Sequence, residues 1–117
     1  MPTPTIPPRF PVPSGTFNGL SGMSYDSTNQ AFDDRGTLNY LFVEEQSSGS
    51  ACGQWAYGTN SDGDDNPRAN ITQNVYDIFS GGTYNATDDA VDYNSKTYQF
   101  RLERDSSGVH IAVAVEI

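Results

Sequence analysis

A chain of 117 residues fits one domain and can bury about two thirds of the surface its unfolded form exposes, so a core of its own is within reach. Fifteen acidic residues against six basic ones give a net charge of −9 and a pI near 4.1, a balance that repels phosphate backbones and anionic headgroups and excludes nucleic acid and membrane surfaces as expected partners. Apolar residues make up 35% and aromatics 12%, so rings must supply core volume that Leu and Ile usually provide.

Residues 1–13 hold six of the seven prolines, which remove backbone donors and push each preceding residue toward extended conformations. The segment reads as an extended proline-rich N-terminal arm, able to reach roughly 40 Å at about 3.1 Å per residue. A bare spacer has little use for Ile6, Phe10 and Val12. With Arg9, these three are the expected partner-binding residues of an arm that docks in a groove. Residues 14–117 then form a single β-rich domain.

Residues 14–22 are small and turn-forming and read as loop with at most a short strand. Met23, Tyr25 and Phe32 punctuate the polar stretch that runs to Gly36. Residues 37–44 are rich in β-formers and mostly apolar, as in a strand buried on both faces. The cluster at 46–50 turns the chain into a second strand at 51–58, where Trp55 and Tyr57 share a face. After a polar loop at 59–67, residues 67–79 read as either a short helix or a strand. Pro67 after Asn66, with Ile71, Val75, Ile78 and Phe79 at helical spacing, argues for helix, and Gly81-Gly82 would close it. Poor helix formers, and an equal fit of Ile71, Val75 and Phe79 to period two, argue for strand. Residues 97–104 and 109–117 alternate around a turn at 105–108 and form a hairpin. Its second strand puts Val109, Ile111, Val113, Val115 and Ile117 on one face and His110 on the other, at a surface or interface. The expected fold is mainly β, a compact antiparallel sandwich or barrel with room for one short helix near 67–79.

Oxygen donors concentrate at 60–66, where Asp62, Asp64 and Asn66 are weak candidates for a hard cation. Compared with a calcium loop, glycine falls at the fourth position rather than the sixth, and Ile71 stands where a bidentate Glu is required. A solvated turn is the simpler reading, and Asp88, Asp89 and Asp92 would add to it only if the fold brought them close. Cys52 is alone, so no internal disulfide forms, and a small buried hydrophobe is expected there. No signal peptide is evident, so synthesis in the cytosol is expected and the sequons at Asn70 and Asn85 read as chance matches. His110 has no triad partner pattern, and the neighbours Glu44-Glu45 and Asp33-Asp34 point to opposite faces of a strand. No phosphate loop, dinucleotide fingerprint or zinc spacing occurs, so no cofactor and no enzyme activity are expected. Trp55 and Tyr57 could stack on sugar rings as a carbohydrate platform, although the same rings could equally fill the core.

An arm with spaced apolar anchors at 1–13, an alternating C-terminal hairpin at 97–117, and a composition rich in Gly, Ser, Thr, Asn and Tyr with a single Lys together resemble the head decoration or cement proteins of tailed bacteriophages. The resemblance is architectural and involves no family-specific motif. It implies a non-enzymatic virion protein, trimeric, whose arm lies on the capsid lattice. The implied partner is the major capsid protein or another virion subunit, with Ile6, Phe10 and Val12 as anchors and Arg9 paired with an acidic capsid surface. Two other readings stay open: a subunit of an extracellular or pilus-like filament joined by its arm, and a carbohydrate-binding module of a phage fibre.

Overall fold

The structure is a computed structural model and describes residues 10–45, 51–59 and 68–117. Its elements in chain order are α1 (Ser14–Leu20), β1 (Ser24–Asp26), β2 (Ala31–Asp34), β3 (Thr37–Glu45), β4 (Ala51–Gly58), β5 (Arg68–Ile71), α2 (Gln73–Gly81), β6 (Thr83–Asn85), β7 (Ala90–Tyr93), β8 (Lys96–Arg104) and β9 (His110–Glu116). The strands join one sheet in the order β1-β2-β3-β5-β9-β8-β7-β6, with β4 also on β3. The fold is mainly β, as the alternation implied, but β5 and β9 run parallel.

Both hairpins read from the sequence are present, β3 with β4 and β8 with β9. The segment at 67–79 holds both of its alternatives: strand β5, then helix α2, which starts at Thr72 rather than at Asn66 or Pro67. Thr72 Oγ1 accepts from Val75 N–H at 3.3 Å and so caps the helix. Val75, Ile78 and Phe79 are buried at helical spacing. Residues 14–20, expected as loop, are helix α1. Its small residues have poor helix propensity, but Phe17 and Leu20 are buried one turn apart, and tertiary packing outweighs propensity. Gly19 lets the Tyr57 ring lie over α1, and a Cβ at that position would push this exposed ring aside.

A shift of 59 positions lays one half of the chain on the other without a gap. It carries Ser24–Asp26 onto Thr83–Asn85, Ala31–Asp34 onto Ala90–Tyr93 and Thr37–Glu45 onto Lys96–Arg104, and α1 onto the start of α2. Tyr25 and Tyr84, Ala31 and Ala90, and Asp33 and Asp92 are identical pairs, and Ser21-Gly22 recurs as Ser80-Gly81. Backbone conformation repeats too: Gln30 and Asp89 have φ of 53° and 48°, Arg35 and Asn94 of 53° and 52°, and Gly36 and Ser95 of 94° and 65°. One departure is a bulge in β3 between Val43 and Glu45, where β8 runs without interruption.

The halves exchange strands. β5 of the second half pairs with β3 of the first through Leu41 and Ala69, and the equivalent bridge joins Phe10 to Phe100. Ile71 N–H donates to Gln30 O at 2.7 Å, and its counterpart Val12 N–H donates to Asp89 O at 3.0 Å. Phe10 and Val12, expected to engage a partner as the end of an arm, are instead 1% and 0% exposed within their own chain. The reason is that they occupy the position of β5 in the other half, so Phe10–Pro13 belong to the domain.

Rings fill the core as composition required. Phe10 meets Trp55 edge-on at 5.6 Å between centroids, and Phe79 stacks on Phe100 at 5.1 Å and on Phe17 at 5.9 Å. These rings also explain a correction to β9. Ala112 is fully buried and His110 is 8% exposed, so the small and polar positions face inward. The apolar residues Ile111, Val113 and Val115 lie half-buried on the outward side. Aromatic residues from other elements already occupy the interior, so Ala112, Ala114 and His110 rather than large aliphatic residues fill the inward positions of β9.

Two measurements follow. Phe10→Ala should lower the free energy of unfolding by about 3–5 kcal/mol in urea titration at constant slope, and a loss below about 1 kcal/mol would place Phe10 outside the core. Ser95 holds a left-handed conformation that its counterpart Gly36 adopts without strain, so Ser95→Gly should raise stability by about 1 kcal/mol.

Candidate functional site

Ile6, Arg9, Asp62, Asp64 and Asn66 lie outside the described residues, as does the turn at 46–50. Trp55 is 3% exposed and held between Phe10 and Phe100, so it is a core residue rather than a sugar platform. Its indole N–H has no acceptor among the described residues. Tyr57 stands 42% exposed, with its ring lying over Gly19 of α1.

The acidic residues Asp88 and Asp92 are brought together, but by internal donors. Asn85 Nδ2 donates to Asp88 Oδ2 at 3.2 Å and to Asp92 Oδ1 at 3.3 Å, and Thr97 Oγ1 donates to Asp92 Oδ1 at 2.7 Å. Tyr84 OH donates to Asp89 Oδ1 at 2.9 Å, a bond that raises the tyrosine pKa, with burial adding to it. The equivalent loop of the first half uses Asp26, which accepts from Asn29 N–H at 2.9 Å and from Asn29 Nδ2 at 3.1 Å. Those donors hold the Asp26 carboxyl below its ordinary pKa of 3.8. Tyr25 OH donates to Ile71 O at 2.6 Å, and burial raises its pKa, with the charge of Asp26 acting in the same sense. Among the described residues no group of three His, Cys, Asp or Glu is placed to hold a metal, and no helix is long and apolar enough to cross a membrane.

The surface feature with the clearest chemistry is the outward side of β5, β9 and β8. Sequence reasoning found the stripe on β9 but assigned it to the interior. Ile111, Val113 and Val115 are half-buried there, and Ile117, just beyond β9, is 43% exposed. Across β8 they face Glu103, Arg101 and Gln99 in turn, and Asn70 of β5 lies beside Ile111. Arg101 Nη2 pairs with Glu103 Oε2 at 2.7 Å, and Lys96 with Glu116 at 3.6 Å at the end of the same strand pair. Arg68 stacks over the Tyr40 ring at 4.2 Å. Arg101 shares the outward parity of the stripe, whereas Lys96 and Arg104 fall on the even positions of β8 with the buried Phe100 and Leu102. An apolar stripe bordered by paired charges suits contact with another protein surface.

The depressed pKa of Asp26 sets a pH dependence. The stabilisation from its ionised form is complete well above 3.8 and is lost as pH falls through that value toward the lower native pKa. Asp26→Asn, which copies Asn85, removes this contribution, so the stability gap between the wild type and the variant should narrow as pH falls. Urea unfolding across the acid range reads it, and a gap that widens contradicts the assignment. Comparison with protein-family models, with curated protein sequences and with solved structures gives no match for this chain.

Proposed function

We propose that this chain is a non-enzymatic virion structural protein that decorates or cements a phage capsid lattice. The observation that supports the reading is the burial of Phe10 and Val12. These residues fasten the end of the proline-rich segment into the core. Ile6 and Arg9 precede that anchor in the chain, and we assign them to contact with a capsid subunit. Pro2, Pro4, Pro7 and Pro8 restrict the unbound segment and lower the entropy lost when it orders on a partner. Arg9 is suited to an acidic surface on the major capsid protein, and Ile6 to an apolar pocket beside it. Binding at the junctions between subunits would stabilise the shell by mass action, with no reaction catalysed.

Separating the anchor from the contacts makes the reading testable. Ile6→Ala combined with Arg9→Ala should leave the melting temperature unchanged and reduce occupancy on purified capsid particles roughly tenfold or more. Full occupancy by the double variant would overturn the role given to these two residues.

A further inference from the structure

We infer that the segment 10–13 is exchangeable between copies of this chain: in a twofold dimer it leaves its own slot beside β8 and fills the same slot of a second copy, which fills the first in return. The repeat shows that this segment is held less firmly than its counterpart. Strand β5 pairs with β3 at Leu41 and Phe42 and with β9 from His110 to Ala112, whereas Phe10 makes one isolated bridge, to Phe100. Pro11 stands where β5 has Asn70, and it has no N–H to give. Strand β5 also lies in mid-chain. Segment 10–13 precedes every helix and strand of the described residues, so it can leave its slot while all of those elements stay in place.

The slot defines its occupant. Phe100 O accepts from Phe10 N–H and Asp89 O accepts from Val12 N–H at 3.0 Å, while both side chains are buried and Trp55 meets the Phe10 ring edge-on. A fitting segment therefore carries two apolar side chains two positions apart, each with its own N–H, on an extended backbone that needs no donor between them. Phe10-Pro11-Val12 of a second copy has this form, and exchange restores every contact that opening removes. The pivot is local. Pro13 is already extended at φ −61° and ψ 149°, α1 begins after it without a side-chain cap, and a side chain at Gly15 would meet open space. Thr16 Oγ1 donates to Trp55 O at 2.8 Å and Phe17 is buried, so the rest of α1 stays in place. Opening Ser14 and Gly15 with Pro13 lets the segment reach about 10 Å, which sets the two slots side by side across the twofold. What opposes the dimer is association entropy and the repulsion of two chains of −9, and salt screens the second.

The experiment is light scattering on the unmodified full chain over a range of concentrations in about 0.5 M salt. It does not depend on the decoration reading, which is tested separately by occupancy on capsids. The expected mass rises toward twice 12.7 kDa. A peptide of residues 9–15 with blocked ends, in roughly hundredfold excess, should fill the slots without linking two chains and return the mass to that of one. The same peptide carrying Phe10→Ala should be at least roughly tenfold less effective. Ile117→Asp, which places a charge at the exposed end of the β9 stripe, should leave the mass unchanged. A single-chain mass at every concentration, a mass above two chains, dimers that the peptide does not dissociate, or dimers lost in Ile117→Asp would overturn the proposal.

Discussion

The structure depends on a reciprocal exchange: each half of the chain lends a short strand to the other. Neither half completes its own sheet, because the residues that fill the gap beside β3 are β5 of the second half, and Phe10 fills the corresponding place beside β8. The paired bonds from Ile71 to Gln30 and from Val12 to Asp89 hold these strands against loops whose left-handed residues, Gln30 and Asp89, aim the accepting carbonyls. Exchange of this kind makes folding non-local, since Ile71 pairs with Gln30 and Phe10 with Phe100 across long stretches of chain, and the loop-closure entropy must be met before the core rewards it.

Exchange also explains how a chain with few aliphatic residues sustains a core. Because strands and helices of both halves meet at the centre, Phe10, Phe17, Phe79, Phe100 and Trp55 converge on one another in stacked and edge-on contacts rather than being spread along separate elements. Aromatic pairs give more than their area alone, and their size dictates small residues opposite. Ala69 and Ala112, both fully buried, sit in the parallel strands β5 and β9, where the large rings leave little depth.

That geometry sets what the sequence could disclose. Alternation at 97–117 reported a hairpin correctly but named the wrong face, because period two distinguishes two sides of a strand without saying which is interior. The usual rule that the apolar side is inward fails for β9 because rings supplied from other elements had already taken the space. Helix α1 was illegible because Ser14, Gly15, Asn18 and Gly19 are weak helix formers, and the helix exists through burial of Phe17 and Leu20 and the fit of Tyr57 over Gly19. Phe10 and Val12 looked like arm anchors because prolines surround them. Pro11 and Pro13 leave the Val12 N–H free to pair with Asp89 O, a long-range bond that local reading has no access to. A signal did exist in the gapless offset, with Ser21-Gly22 recurring at 80–81 and the Tyr, Ala and Asp pairs spaced alike, and that comparison would have transferred the helical spacing of α2 onto α1.

A repeat offers its own control for separating structure from function. Where both halves agree in backbone, as at the left-handed turn positions, the conformation answers to the fold even though the residues differ. Where they disagree without cost to the fold, the difference belongs to something else. Asp26 and Asn85 accept the same turn N–H, and only the Asp adds a charge to it. The pairs Ala56 with Val115 and Gly58 with Ile117 are of a different kind: at both, β9 carries a larger apolar side chain on its outward side than β4 does, so the fold itself accepts either size there.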